Sequence, residues 1–461
     1  MDMFRLPIMR ETPMPPTEDK PDNMEAGSRR TPLREWHLGH GANMGNFGGY
    51  EMPLWYPTGA KEEHLAVVQR AGVFDTSHMA AIHVSGPGAR WLLQHCYTKD
   101  LEACVGKGRA PLAPGKSVYG VFLNEKGEVL DDSIVAEIAP DLYLVVVNAG
   151  MGGAVARHLV VNVQAGADGS DESDKSDGSD KVAVKDLTDQ LGKIDLQGPL
   201  AGKIMARILA EPAKVLDRLP HFSFKGHFDP ASPCAAAARL WDGTPVLLSR
   251  TGYTGEFGFE VFIQAERLIQ VWKTLLSVGE PLGLIPCGLA ARDSLRAGAV
   301  LPLSHQDIGA WPFVNHPWPF ALPYAGDGAS FTKDFIGRDA LGKARGAGYT
   351  YPFAGYDLRK VSAEEGAGVL DEQGREIGKI LSCVTDMAIG RHEGRIYSIA
   401  SPNKPEGFAP RGLCCGFIKV REKLIPGQNV EIRDSRRKIR VEVVEDIRPD
   451  RTARRALKDM L

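Results

Sequence analysis

Leu130-Asp131-Asp132-Ser133-Ile134-Val135 follows the turn-like Asn124-Glu125-Lys126-Gly127 and decides how the rest of the chain reads. It places two adjacent carboxylates in an otherwise apolar, β-prone run. Neighbouring side chains of a strand point to opposite faces. One Asp is therefore expected to face solvent or cap the turn, and the other, Asp132, to face inward. A carboxylate there is costly unless it has a partner or a task. Residues 117–123, 129–137 and 142–147 alternate as three strands of a mixed α+β unit. Tyr119, Asp132 and Asn148 recur on them with regular spacing. Tyr119 can stack and donate, Asp132 can accept, and Asn148 can do both. Each has a plain structural reading, as a core Tyr, a turn Asp and a strand-end Asn. Together they could line one pocket.

Moving outward, residues 35–41, 61–71, 88–95, 266–278 and 288–297 carry helical spacing, and 73–78, 80–84, 184–200 and 246–262 supply further strands. Gly48 and Gly49 suggest close backbone approach, and Pro53 argues against a central strand. From Tyr356 onward, short strands broken by Gly read as a small all-β domain, 355–447, followed by a tail, 448–461. Residues 1–30 mix Arg with Glu and Asp, lack an apolar core segment, and read as a disordered leader. The acidic Ser/Gly/Asp tract at 165–181 can bury nothing and reads as a mobile surface loop rather than a calcium loop.

The 461 residues are 43% hydrophobic, enough for two or three domains with a large core. Lys+Arg at 55 against Asp+Glu at 58 leaves no electrostatic footprint for nucleic acid. No apolar run reaches the ~18–20 residues of a membrane span. Seven scattered cysteines without a C-x-x-C pattern fit reduced thiols in a cytoplasm and argue against zinc, iron–sulfur or disulfide frameworks; no metal ligands are assigned.

Two further clusters carry chemistry. Ser249-Arg250-Thr251-Gly252-Tyr253-Thr254-Gly255-Glu256-Phe257-Gly258-Phe259-Glu260 has three glycines whose backbone could approach a planar ligand, and a carboxylate, Glu260, in an apolar run. Gly288-Leu289-Ala290-Ala291-Arg292-Asp293-Ser294-Leu295-Arg296 puts Arg292 and Arg296 on one helix face. A buried Arg there would want a carboxylate or an oxygen-rich ligand; a Glu260–Arg292 ion pair is the plain structural alternative. Trp311, Phe313, Trp318 and Phe320 read as a local apolar wall.

These stretches, with Thr31-Pro32-Leu33, Phe47-Gly48-Gly49-Tyr50-Glu51-Met52-Pro53-Leu54, Val73-Phe74-Asp75-Thr76-Ser77-His78-Met79, Val147-Asn148-Ala149 and Leu196-Gln197-Gly198-Pro199, are collinear over about 31–444. Together they resemble the T-protein (aminomethyltransferase) family of the glycine cleavage system. The resemblance implies an α+β, three-domain cloverleaf. Two α+β domains lie within 31–350, the first discontinuous with a unit inserted at about 80–165, and a small C-terminal β-barrel completes the ring around a central folate site. It implies Asp132 as the catalytic carboxylate, with Tyr119, Asn148, Tyr253, Glu260 and Arg292 binding tetrahydrofolate, the one-carbon acceptor. Neither metal nor flavin is implied. The implied donor is the aminomethylated dihydrolipoyl arm of the H-protein, and ammonia is released. As the amine leaves, the carbon gains positive character that an adjacent carboxylate stabilises.

The chain departs from that pattern in three places. Residues 307–320 lack the usual Glu, Leu381-Ser382-Cys383 replaces Thr-Ser-Gly, and Ile447-Arg448-Pro449 replaces a late Pro-Phe. Two other readings fit the same resemblance: a folate-dependent demethylase of a small methylated compound, and a non-enzymatic folate-binding accessory factor. The latter class carries a Cys where this chain has Thr251-Gly252-Tyr253.

Overall fold

The structure is a computed structural model that describes residues 27–169, 182–344, 346–363 and 366–461. It is mixed α+β with a closed six-stranded barrel, as the sequence leads one to expect. The Asp-Asp run lies in the long strand Val129–Ala139 of a five-stranded antiparallel sheet. That sheet runs Lys116–Leu123, Val129–Ala139, Leu142–Val147, Ala80–Ser85, Ala183–Asp186. Its last strand lies beyond residue 165, so the sheet outruns the boundary read from sequence.

A six-stranded sheet is assembled from distant segments in the order Phe224–Lys225, Leu247–Ser249, Gly258–Gln264, Leu191–Gln197, Ala71–Asp75, Leu284–Pro286. Helices Ala201–Ile208 and Leu268–Gly279 bury Ile204, Met205, Val271, Trp272 and Leu275 on it. The two sheets pack through Ala136, Ile138, Leu144, Val146, Phe224, Leu247 and Phe262, all buried in an apolar seam. Residues of both sheets at one end of this seam are polar, and the site forms there.

The barrel closes by pairing Tyr349–Gly355 with both Leu413–Val420 and Lys438–Val443. Cys414 and Cys415 lie buried in it, and all seven cysteines are free thiols. The segment 448–461 is no loose tail. Arg448, Thr452 and Met460 are buried, and Arg448 links Asp386 of the barrel to Glu256.

Three local expectations change. Pro53 sits in the middle strand of a three-stranded sheet, but its neighbour Arg29–Arg30 pairs only with Tyr50 and Glu51. Pro53 therefore still lies on a free edge, where its missing N–H costs nothing. The helix Gly152–Gly169 takes up residues 165–169, and the rest of the acidic tract, 170–181, lies outside the described residues. So do residues 1–26 of the expected leader, whereas Arg29–Arg30 forms a strand. Among the described residues no helix is long and apolar enough to cross a membrane.

Gly48 shows why its loop needs glycine. Its φ is +56°, and an added Cβ would come within 2.4 Å of the Ala149 Cβ, beside Asn148. Gly48→Ala is expected to destabilise the chain by about 1–3 kcal/mol through backbone strain and overpacking. Urea unfolding of both proteins checks this, and equal midpoints would refute the close approach.

Candidate functional site

Tyr119, Asp132 and Asn148 do come together. Register places Asp132 opposite Val121, so Tyr119 is its diagonal neighbour on the same sheet face. The Tyr119 hydroxyl donates to Asp132 Oδ2 at 2.9 Å. The Asn148 amide donates to Asp132 Oδ1 at 2.7 Å and to Asp131 Oδ1 at 2.8 Å, one nitrogen serving both carboxylates. Asp131 does not face solvent as the alternation suggested. It is 0% exposed and accepts from the Asn148 backbone N–H at 2.8 Å and Ser304 Oγ at 3.0 Å. Solvent is excluded on its side by the chain around Ser304, a partner far away in sequence. Asp132 is the half-buried member of the pair.

Burial, then the adjacent Asp131 charge, pushes the Asp132 carboxyl up to about 6, against the pull of the Tyr119 and Asn148 donors. Burial and the Asp132 charge hold the Tyr119 hydroxyl well above the usual phenol range, so it stays a donor at neutral pH. Tyr253 completes this end of the site. Its hydroxyl donates to the Pro302 carbonyl, and the Arg292 guanidinium lies 4.9 Å from its ring centroid. Burial raises its hydroxyl pKa, and the charge of Asp132 is near enough to contribute.

Glu260 and Arg292 are close to the same seam but do not pair with each other. Glu260 accepts from Lys193 Nζ and from Thr251 Oγ1. Arg292 Nη1 donates to Asp195 Oδ2 at 2.6 Å, and Lys193 Nζ also donates to Asp195 Oδ1 at 2.6 Å. The result is an alternating chain, Glu260–Lys193–Asp195–Arg292, in which each charge has an opposite neighbour. Burial opposes ionisation of Asp195, yet Lys193 and Arg292 bring it down to about 2. Lys193 and Asp195 lie two apart in a strand, where alternation sends both to one face. That spacing was the available signal for a pair that the sequence reading passed over.

His78 was also passed over as an individual residue. It is buried, its Nδ1 has no hydrogen-bond partner, and burial with Arg292 and Lys193 nearby lowers its pKa to about 4. It is a neutral ring beside the charge chain.

The glycines of 249–260 serve internal packing. A Cβ on Gly252 would meet Gln197 Oε1 at 2.2 Å, and one on Gly255 would meet Ala299 at 2.7 Å. The aromatic wall is real for Phe313 and Trp318, both buried. Phe320 is instead 52% exposed, with its ring 5.8 Å from that of Tyr119. It borders a cleft of about 650 Å³ lined also by Lys99, Arg109, His316 and Tyr324. Beside Glu260 the space is about 10 Å³, room for roughly one water.

Comparisons with known proteins agree with this architecture. The family described as "GCVT N-terminal domain" matches residues 33–311. The chain is 36% identical to an aminomethyltransferase of Symbiobacterium thermophilum over 73% of its own length and 80% of the relative's. For the Shouchella clausii aminomethyltransferase the identity is 32%, over 82% and 91%. For that of Bordetella bronchiseptica it is 38%, over 69% and 75%. The crystal structure of glycine cleavage system aminomethyltransferase T from Bartonella henselae superposes with a TM-score of 0.67 at 26% identity. It covers 91% of this chain and 97% of that one. Fold and relatives thus define a transferase enzyme of the aminomethyltransferase class. The chain belongs to the T-protein family of the glycine cleavage system.

Proposed function

We propose that this chain transfers the one-carbon unit of an aminomethylated dihydrolipoyl H-protein to tetrahydrofolate, with release of ammonia. The observation that carries the reading is Asp132, held half-buried between Tyr119 and Asn148 on one sheet, with Tyr253 and Arg292 nearby on the other side of the seam. A carboxylate fixed by two donors needs no reorganisation when positive charge develops beside it. Asp132 would stabilise the carbon as the amine departs. Tyr119 would keep that carboxylate oriented and its ring against the acceptor.

The residues fit a folate acceptor. The cleft bordered by Phe320 has the volume of a ligand site, though Tyr119 is not among its lining residues and the Phe320 ring stands between them; Lys99 and Arg109 supply positive charge there for a carboxylate-bearing tail. Glu260 and Arg292 are already paired with Lys193, Thr251 and Asp195, and the space beside Glu260 holds about one water, so they would meet a pterin only after side chains there move. The orphaned Nδ1 of His78 is a further polar atom on that side. In this reading the enzyme works among reduced thiols in a cytoplasm.

The test offers tetrahydrofolate with aminomethylated H-protein, and in parallel with small methylated donors, and follows methylenetetrahydrofolate and ammonia. Both products from the H-protein arm are expected. Product from small donors alone would overturn the proposal in favour of a demethylase.

A further inference from the structure

Asp131 and Asp132 are adjacent carboxylates with almost entirely neutral partners: the Asn148 amide and backbone N–H, the Ser304 hydroxyl and the Tyr119 hydroxyl. Two negative charges this close each raise the cost of ionising the other. Among the described residues, the single group within ion-pair distance of either that can carry a positive charge is His305, whose Nε2 lies 3.5 Å from Asp131 Oδ1.

The backbone is shaped to put it there. His305 has φ +63°, a left-handed conformation unfavourable for a residue with a side chain. The turn is fixed on both sides of it. The Asp307 backbone N–H donates to Leu303 O at 2.8 Å, and Gln306 Nε2 donates to Leu381 O at 3.0 Å. The Asp307 carboxylate is turned away to Arg296 and the Leu303 N–H, and Arg296 also holds Asp293. The ionisable groups left facing the His305 ring are therefore Asp131 and Asp132, with the protonated hydroxyls of Tyr119 and Tyr253 further along the site. The side chain is 48% exposed, so its proton exchanges with solvent.

We propose that His305 is a positioning residue for aminomethyl transfer, its imidazolium neutralising Asp131 so that Asp132 stays ionised beside the reacting carbon. This rests on the reading of Asp132 given above. The contact with Asp131 raises the imidazole pKa over the opposing effect of burial, in the sense the role needs. Removing the cation leaves the Asp131 charge uncompensated and raises the proton affinity of Asp132, so activity is lost at a higher pH on the acid side, while the alkaline plateau changes little.

The experiment has two arms. In the first, kcat/KM is measured against pH for the wild type, His305→Gln and His305→Lys. The acid limb of His305→Gln is expected to move up by about half a pH unit or more, and His305→Lys to return it toward the wild type. A uniform loss with an unmoved limb would overturn the proposal. In the second, the His305 ring-proton resonance, identified by its absence from His305→Gln, is titrated in the wild type and in Asp131→Asn without any substrate. It is expected to titrate above 6.5 in the wild type and lower in the variant. A resonance at or below that value in the wild type would sink the ion pair. This arm is independent of donor and acceptor, so an incorrect choice of substrates would leave its result standing.

Discussion

Asp132→Asn leaves the chain folded and lowers turnover by about a hundredfold or more, the scale of losing one positioned electrostatic group. The amide keeps the size of the side chain and can still accept from Tyr119, but its NH2 then faces the Asn148 NH2, so one hydrogen bond is lost. What disappears is the negative charge. Removing it also relieves repulsion with Asp131, which offsets that lost bond, so stability should stay about level. That opposition, with activity down and stability not down, separates a working carboxylate from a structural one. Steady-state kcat and a thermal unfolding curve on the same preparation test it. Near wild-type turnover would remove Asp132 from the reaction.

The second large effect lies far from the chemistry. Arg448 is fully buried and donates to Asp386 Oδ2 at 2.6 Å, Glu256 Oε1 at 3.2 Å and the Thr254 and Leu295 carbonyls. Asp386 also takes His64 Nε2 at 2.9 Å, and His64 Nδ1 meets Ser294 Oγ at 2.8 Å. Arg448→Met fills similar volume but strands two buried carboxylates, and a loss of about 3–5 kcal/mol is expected. The double variant with Asp386→Asn should recover part of it. Although burial opposes ionisation, His64 and Arg448 hold Asp386 well below the usual carboxylate range. Its contribution to stability is therefore complete above about pH 4 and drains away as pH falls further. The gap between wild type and Arg448→Met should narrow accordingly in acid. Urea titrations at neutral and low pH measure both effects, and a neutral-pH loss below about 1 kcal/mol would refute the network.

Much of the fold was legible because it rests on local patterns. The strands around Asp131 and Asp132 are rich in β-branched and aromatic side chains between turn residues, and Gly127 turns the hairpin with φ +74°. The grouping of Tyr119 with Asp132 followed from strand spacing alone. Charges whose partners lie across the fold were not readable. Glu260 and Arg292 looked like mutual partners, yet Lys193 and Asp195 intervene from a strand roughly a hundred residues before Arg292. Asp131 looked solvated because nothing nearby in sequence announces Ser304 and His305. The segment 448–461 looked idle because a lone Arg carries no signal until its carboxylates are in place. Periodicity reports which face a side chain takes, but not what waits on that face.

The knot of His64, Asp386, Arg448 and Glu256 has a mechanical consequence. It rivets helix Ala60–Gln69, barrel strand Glu376–Asp386 and the chain's last segment into one rigid block. Swinging the barrel outward would tear several charge-assisted bonds away from water at once. Helix and barrel therefore shift together or not at all, and any opening of the molecule has to come from elements outside this knot.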